Sequence, residues 1–208
     1  MKNKINKILI TGGGRRLGSQ MAKKLALEDF SVFVQYYKSK KDALHLAKSI
    51  RNEGGEINLI RRKMGSVDDC KNLIKEFFYD STKTKYERFL LINNASSFQF
   101  DSSNSFTEKK LNLHMKVNFF IPTFLTKYFY LNLPKHEKGS VINMLDAKLF
   151  GLNSDHYSYT LSKYALLGLT KTAALSYAPK LRVNGIAPGI TLPNPKQKIE
   201  DFDRIREM

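Results

Sequence analysis

A tyrosine placed four residues ahead of a lysine puts a phenol and an ammonium on one face of a helix. Such a pair can move a proton to or from a bound substrate, with the ammonium favouring the phenolate and so tuning the hydroxyl. The chain holds four such pairs: Tyr36/Lys40, Tyr37/Lys41, Tyr79/Lys83 and Tyr159/Lys163. With 10 tyrosines and 26 lysines among 208 residues, the spacing arises by chance and selects none of them. Position separates them. Tyr159/Lys163 opens a helical pattern just beyond the fifth strand-like run, at the sheet edge where open α/β proteins bind ligands. Tyr157 lies two residues earlier, but has Leu161 at its +4 position and is set aside.

A second constellation is the stretch TGGGRRLG at 11–18. A glycine-rich turn after a first strand and before a first helix is where a dinucleotide pyrophosphate sits, held by backbone N–H groups and the helix N-terminus. The end of the second strand, QYYKSKK at 35–41, then bears on which dinucleotide. An acid there would hold a free 2′-hydroxyl and repel a phosphate. Lys38 and Ser39 stand there instead, with Arg15 in the neighbouring loop, and charge-assisted bonds from these groups favour NADP.

These residues need elements to place them. Short apolar runs at 7–11, 31–37, 56–63, 88–95, 140–147 and 181–189 read as strands. Between them lie helical patterns, among them 108–131, broken only by Pro122, and 159–178. This alternation predicts one α/β domain over 1–208, a doubly wound parallel sheet with helices on both faces. One cysteine, Cys70, excludes an internal disulfide and points to a reducing, cytoplasmic setting. Neither a signal-peptide core nor a membrane-length apolar run is present. His45, His114, His136 and His156 are dispersed without metal-ligand spacing, so no metal is expected. The net charge of +16 comes mostly from lysines spread along the chain, so it reads as compositional and not as a nucleic-acid surface. The partner expected is a small molecule.

TGGGRRLG, NNAS at 93–96, VN at 117–118, YTLSK at 159–163 and APG at 187–189 occur in this order, each at a strand end or helix start. Together they resemble the short-chain dehydrogenase/reductase superfamily over essentially the whole chain. The resemblance implies a nicotinamide cofactor, Tyr159 as proton donor, Lys163 on the nicotinamide ribose and Asn118 completing a proton relay. It also implies a cofactor pocket lined by Thr11, Gly12, Arg15, Arg16, Leu17, Gly18, Tyr37, Lys38, Ser39, Asn94, Ala95, Ser96, Pro188 and Gly189.

The departures from the superfamily narrow the resemblance. Most members carry serine thirteen residues before the tyrosine, where this chain has Asp146, and glycine where it has Arg16. Both features, with NNASSF at 93–98 and the Tyr37-Lys38-Ser39 ending, resemble pteridine reductases and dihydromonapterin reductases. That subgroup implies a pterin lying between nicotinamide and Phe98. It also implies that Ser96 and Arg16 contact pterin or pyrophosphate, and that Asp146 serves proton supply with Tyr159. The competing readings are a 3-oxoacyl-carrier-protein reductase, which Asp146 disfavours, and a non-catalytic NADP-binding protein. An acid that often contacts adenine after the third strand is replaced by Lys63 or Met64. The stretch after APG is short for the family, so a final strand is expected to be missing, the sixth strand to be left as an open edge, and the usual homo-oligomer is left open.

Overall fold

The computed structural model describes residues 6–28, 30–79, 86 and 88–192. Six strands, β1 (Asn6–Thr11), β2 (Phe30–Tyr36), β3 (Ile57–Arg61), β4 (Arg88–Asn93), β5 (Lys138–Met144) and β6 (Leu181–Ile186), form one sheet of order β3-β2-β1-β4-β5-β6. Every pairing is parallel. The helices are α1 (Arg16–Ala26), α2 (Lys40–Asn52), α3 (Val67–Tyr79), α4 (Glu108–Met115), α5 (Ile121–Asn132) and α6 (Tyr157–Tyr177). The order reverses between β1 and β4, so the switch point falls beside the glycine-rich turn.

The two faces follow from the period of two along each strand. Leu9 of β1 joins Phe33, Leu91 and Val141 against α3, α5 and α6. Its neighbours Ile8 and Ile10 join Val32, Val34 and Ile92 against α1 and α2. The first face is dominated by aromatics. Phe77 is fully buried, edge-on to Phe33 and Phe78 and stacked near Phe129. Lys7 is a lysine with 0% exposure in the middle of this packing. Its ammonium donates to Phe77 O at 2.6 Å and lies 4.4 Å from the Phe33 ring centroid, which explains a cation inside an apolar strand.

The long helix expected over 108–131 is present but not uniform. Between α4 and α5 the chain makes a π turn over Lys116–Phe120. Pro122 is the second residue of α5; it has no N–H, and its ring would crowd the carbonyl four residues back. The wider turn relieves that crowding, and Thr123 Oγ1 donates to Phe119 O at 2.8 Å. Asn118 lies within the turn, in the kind of irregularity often found at functional sites.

β5 ends at Met144, so Asp146 lies just past the strand and not on it. α6 starts two residues before its expected first residue, after His156 in a left-handed conformation (φ 55°). β6 pairs with β5 alone among the described residues, and Ile186 is 48% exposed there. The stretch 193–208, on which the expectation about the C-terminus turned, lies outside the described residues. No helix among the described residues is long and apolar enough to cross a membrane.

Candidate active site

The carboxyl ends of β1 and β4 are laced together. Thr11 Oγ1 accepts from Asn94 N (3.0 Å) and Ala95 N (3.1 Å) and donates to Ile92 O. Asn94 Nδ2 donates to Thr11 O (2.9 Å) and Gly12 O (3.2 Å). Gly12 and Gly13 are held from the other side by Gln35 of β2, through Oε1 and the backbone carbonyl. The turn tolerates no side chains here. Gly12 has φ +61°, and a Cβ on it would lie 2.9 Å from Ala95 Cα. A Cβ on Gly18 would lie 2.6 Å from Asn94 Nδ2 and 2.9 Å from Gly12 O. The result is a bare backbone cradle at the first turn of α1, the form that an anionic ligand fits.

The cationic residues expected around this cradle are carried by the turn itself and by the segment after β2. Gly14 brings the turn against the end of β2, where a Cβ would meet Ser39 Oγ at 2.8 Å. Ser39 precedes α2 without capping it through its side chain. Arg15, Arg16, Lys38 and Tyr37 are exposed, and Leu17 and Ser39 are half-buried. Arg16 adopts φ +54°, a region that costs a non-glycine residue about 1–3 kcal/mol. Glycine adopts this form freely, so the chain accepts strain to carry a guanidinium there. Lys63 is exposed, while Met64 packs on the core.

The groups expected to handle a proton lie just past the end of β5 and in the first two turns of α6. Tyr159 Oη donates to Asp146 Oδ2 at 2.6 Å. The other carboxylate oxygen accepts from Lys148 N at 2.9 Å, which fixes the carboxyl in place. Asp146 therefore both caps the short turn Ala147–Leu149 and faces the phenol. Lys163 Nζ donates to Met144 O at 2.6 Å and lies 5.6 Å from the Tyr159 ring centroid. Ala147 N donates to Pro188 O, so the Pro188-Gly189 segment adjoins the same corner.

Charge states follow from burial. Desolvation and then the hydrogen bond and charge of Asp146 hold the Tyr159 phenol protonated, well above its ordinary range. Burial pushes the Lys163 ammonium down to about 8, against the opposing pull of Asp146. This corrects the expectation that Lys163 draws Tyr159 towards phenolate. One N–H of the ammonium goes to the Met144 carbonyl, and the charge that bears on the phenol is the negative one of Asp146.

Asn118 is saturated. It accepts from Ser97 N (2.8 Å) and Ser96 Oγ (3.1 Å), and donates to Ser97 O (2.9 Å) and Ser162 Oγ (2.9 Å). Its amide thus ties the loop after β4 to α6. Phe98 follows in that loop, 55% exposed, so it is not a core aromatic. Its ring is edge-on to Tyr159 (4.7 Å) and stacked on His156 (4.1 Å). Sequence reasoning assigned no role to Gln35 or Ser162, which bond to Gly12 and Asn118, nor to Asp101, His114 and Ser158, which bond to one another beside Phe98 and Tyr159. For His114 a signal existed, because it stands four residues before Asn118 on one helical pattern; for Asp101 there was none.

The profile of the short chain dehydrogenase family matches residues 6–203. Glucose and ribitol dehydrogenase homolog 2 of Arabidopsis thaliana is 30% identical over 188 residues, 87% of this chain and 63% of that protein. The chain thus spans less than two thirds of that relative's length. Pteridine reductase 1 of Leishmania tarentolae is 29% identical over 238 residues, covering 94% of this chain and 81% of that protein. The crystal structure of the FolM alternative dihydrofolate reductase 1 of Brucella canis complexed with NADP superimposes with a TM-score of 0.87. It is 33% identical and covers 98% of this chain and 79% of its own.

Proposed function

Since the chain belongs to the short-chain dehydrogenase family, we propose that it is an NADPH-dependent reductase of a pteridine or dihydropteridine. The observation that carries this reading is the Tyr159–Asp146 hydrogen bond beside an exposed Phe98 ring. The NADP complex of the FolM structure and the similarity to a pteridine reductase support it.

The residues present fit the cofactor. The bare turn at Gly12–Gly14 leaves backbone room for a pyrophosphate, and Arg15, Lys38 and Ser39 offer charge and hydroxyl to a 2′-phosphate. Arg16, exposed in the same turn, would offer its guanidinium to the pyrophosphate or the substrate. Lys163, Asn94, Ala95, Ser96, Pro188 and Gly189 would hold the nicotinamide half. When bound, NADPH supplies a hydride.

The chain's own residues supply the rest. Tyr159, kept protonated by burial and by Asp146, gives its proton to a ring nitrogen of the substrate. Asp146, half-buried and anchored through Oδ1, accepts from the phenol as a carboxylate; once the phenolate has formed, it takes a proton from solvent and passes it to the phenolate through Oδ2. Phe98 offers a ring face to the flat substrate, a contact worth about 0.5–1.5 kcal/mol beyond area burial. A ketone reductase needs a neutral hydroxyl at position 146, because a carboxylate there repels a developing oxyanion.

Cofactor choice tests the first half of this reading. NADPH is expected to bind more tightly than NADH. Lys38→Ala is expected to weaken NADPH by about ten-fold or more, the loss of one charge-assisted bond, while leaving NADH nearly unchanged. Titration of both cofactors against both proteins checks it, and equal affinity of the unsubstituted protein for the two overturns the assignment.

A further inference from the structure

A buried chain of hydrogen bonds lies behind Phe98, outside the groups that handle the proton. Asp101, His114 and Ser158 each have 0% exposure. Gln99 N donates to His114 Nε2 at 3.1 Å. A backbone N–H has one role only, so Nε2 carries no proton and Nδ1 carries it. His114 Nδ1 then donates to Ser158 Oγ at 2.7 Å, and Ser158 Oγ donates to Asp101 Oδ2. Asp101 Oδ1 also accepts from Ser158 N at 3.0 Å, and Asp101 O accepts from Tyr157 N. The direction of every bond is therefore fixed. Burial holds the His114 ring below its ordinary range, and so neutral; Asp101 opposes this, while His156 and Lys110 add to it.

The chain joins the two parts of the site that must meet across a substrate. Phe98 is flanked by two residues whose backbones are gripped from adjacent turns of one helical stretch: Ser97 by Asn118, and Gln99 by His114. The link between His114 and Asp101 is Ser158, which directly precedes Tyr159. We propose that Asp101 and His114 are positioning residues, which set the Phe98 ring against the proton donor Tyr159 and so determine the affinity for a flat substrate. The proposal rests on the reading of Phe98 as the substrate platform.

Asp101→Asn changes no volume but puts a donor where an acceptor stood. Two donors then meet on Ser158 Oγ, and its hydroxyl proton loses its acceptor. Relief comes when His114 shifts its proton to Nε2, which expels the Gln99 N–H. His114→Leu removes the link outright. His114→Gln retains an amide oxygen that can accept the same N–H.

The test measures steady-state constants for a dihydropterin at saturating NADPH, together with amide exchange at Gln99. Asp101→Asn and His114→Leu are expected to raise the substrate KM by about three- to ten-fold, the range of a lost net hydrogen bond, with NADPH affinity unchanged. His114→Gln is expected to stay near the unsubstituted value. The Gln99 amide is expected to be protected in the unsubstituted protein and to exchange freely in Asp101→Asn, while Ser97 stays protected by Asn118. A Gln99 amide that exchanges freely in the unsubstituted protein overturns the proposal even if a variant fails to fold. So do an unchanged substrate KM in both variants, or an equal loss of NADPH and substrate affinity. If the unsubstituted protein reduces no dihydropterin, the substrate reading fails, and the Gln99 exchange in Asp101→Asn still decides whether the chain fixes the Phe98 loop.

Discussion

Tyr159→Phe is expected to bind NADPH as the unsubstituted protein does and to lose turnover by about 10²–10⁴-fold, the range of a positioned acid–base group. The substitution keeps the ring, its edge contact with Phe98 and its burial, and removes only the hydroxyl that donates to Asp146. Affinity should survive because the cradle at Gly12–Gly14 lies on another element and the Lys163 ammonium is held by the Met144 carbonyl and not by the phenol. Single-turnover oxidation of bound NADPH under conditions where chemistry limits the rate checks this. If most of the activity remains, Tyr159 is not the donor.

Asp146→Ser is expected to cost about 10²-fold or more in pteridine turnover. Serine stands at this position in most of the superfamily, so the change is one that the fold accommodates. Its hydroxyl is shorter than the carboxyl and carries no charge. It cannot both cap Lys148 N and return a proton to Tyr159, as the two oxygens of Asp146 do. The phenol would also lose the negative charge that raises it, leaving burial alone to do so. The decisive reading is kcat, with the KM for NADPH unchanged. Turnover equal to that of the unsubstituted protein would assign Asp146 to the cap alone.

The sheet and its helices were legible because each element is patterned by its own period. The β1 sequence KILI alternates between two faces, and the turn glycines stand where Ala95 and Asn94 leave no room for a side chain. The gathering of Tyr159, Asp146 and Phe98 was legible as a resemblance and not as spacing, since four Tyr/Lys pairs share the same interval. What the residues could not convey was the direction of Tyr159's shift. Spacing puts Lys163 on its face of the helix, but the ammonium turns to the Met144 carbonyl, and only three-dimensional packing shows that. The π turn before Pro122 was hidden for a similar reason: a proline marks strain without saying how the chain relieves it. Asp101 and His114 are joined across the fold, through Ser158 44 residues from His114 and 57 from Asp101, a distance over which no local pattern reaches.

The measurement that bears most directly on the central claim is a substrate panel at fixed protein concentration, with NADPH oxidation followed for dihydropterins and for 3-oxoacyl thioesters. The carboxylate at position 146 and the open ring of Phe98 predict NADPH-dependent reduction of dihydropterins and none of the thioesters. Brisk reduction of the thioester with no pterin activity would contradict the account and leave membership of the short-chain dehydrogenase family standing alone.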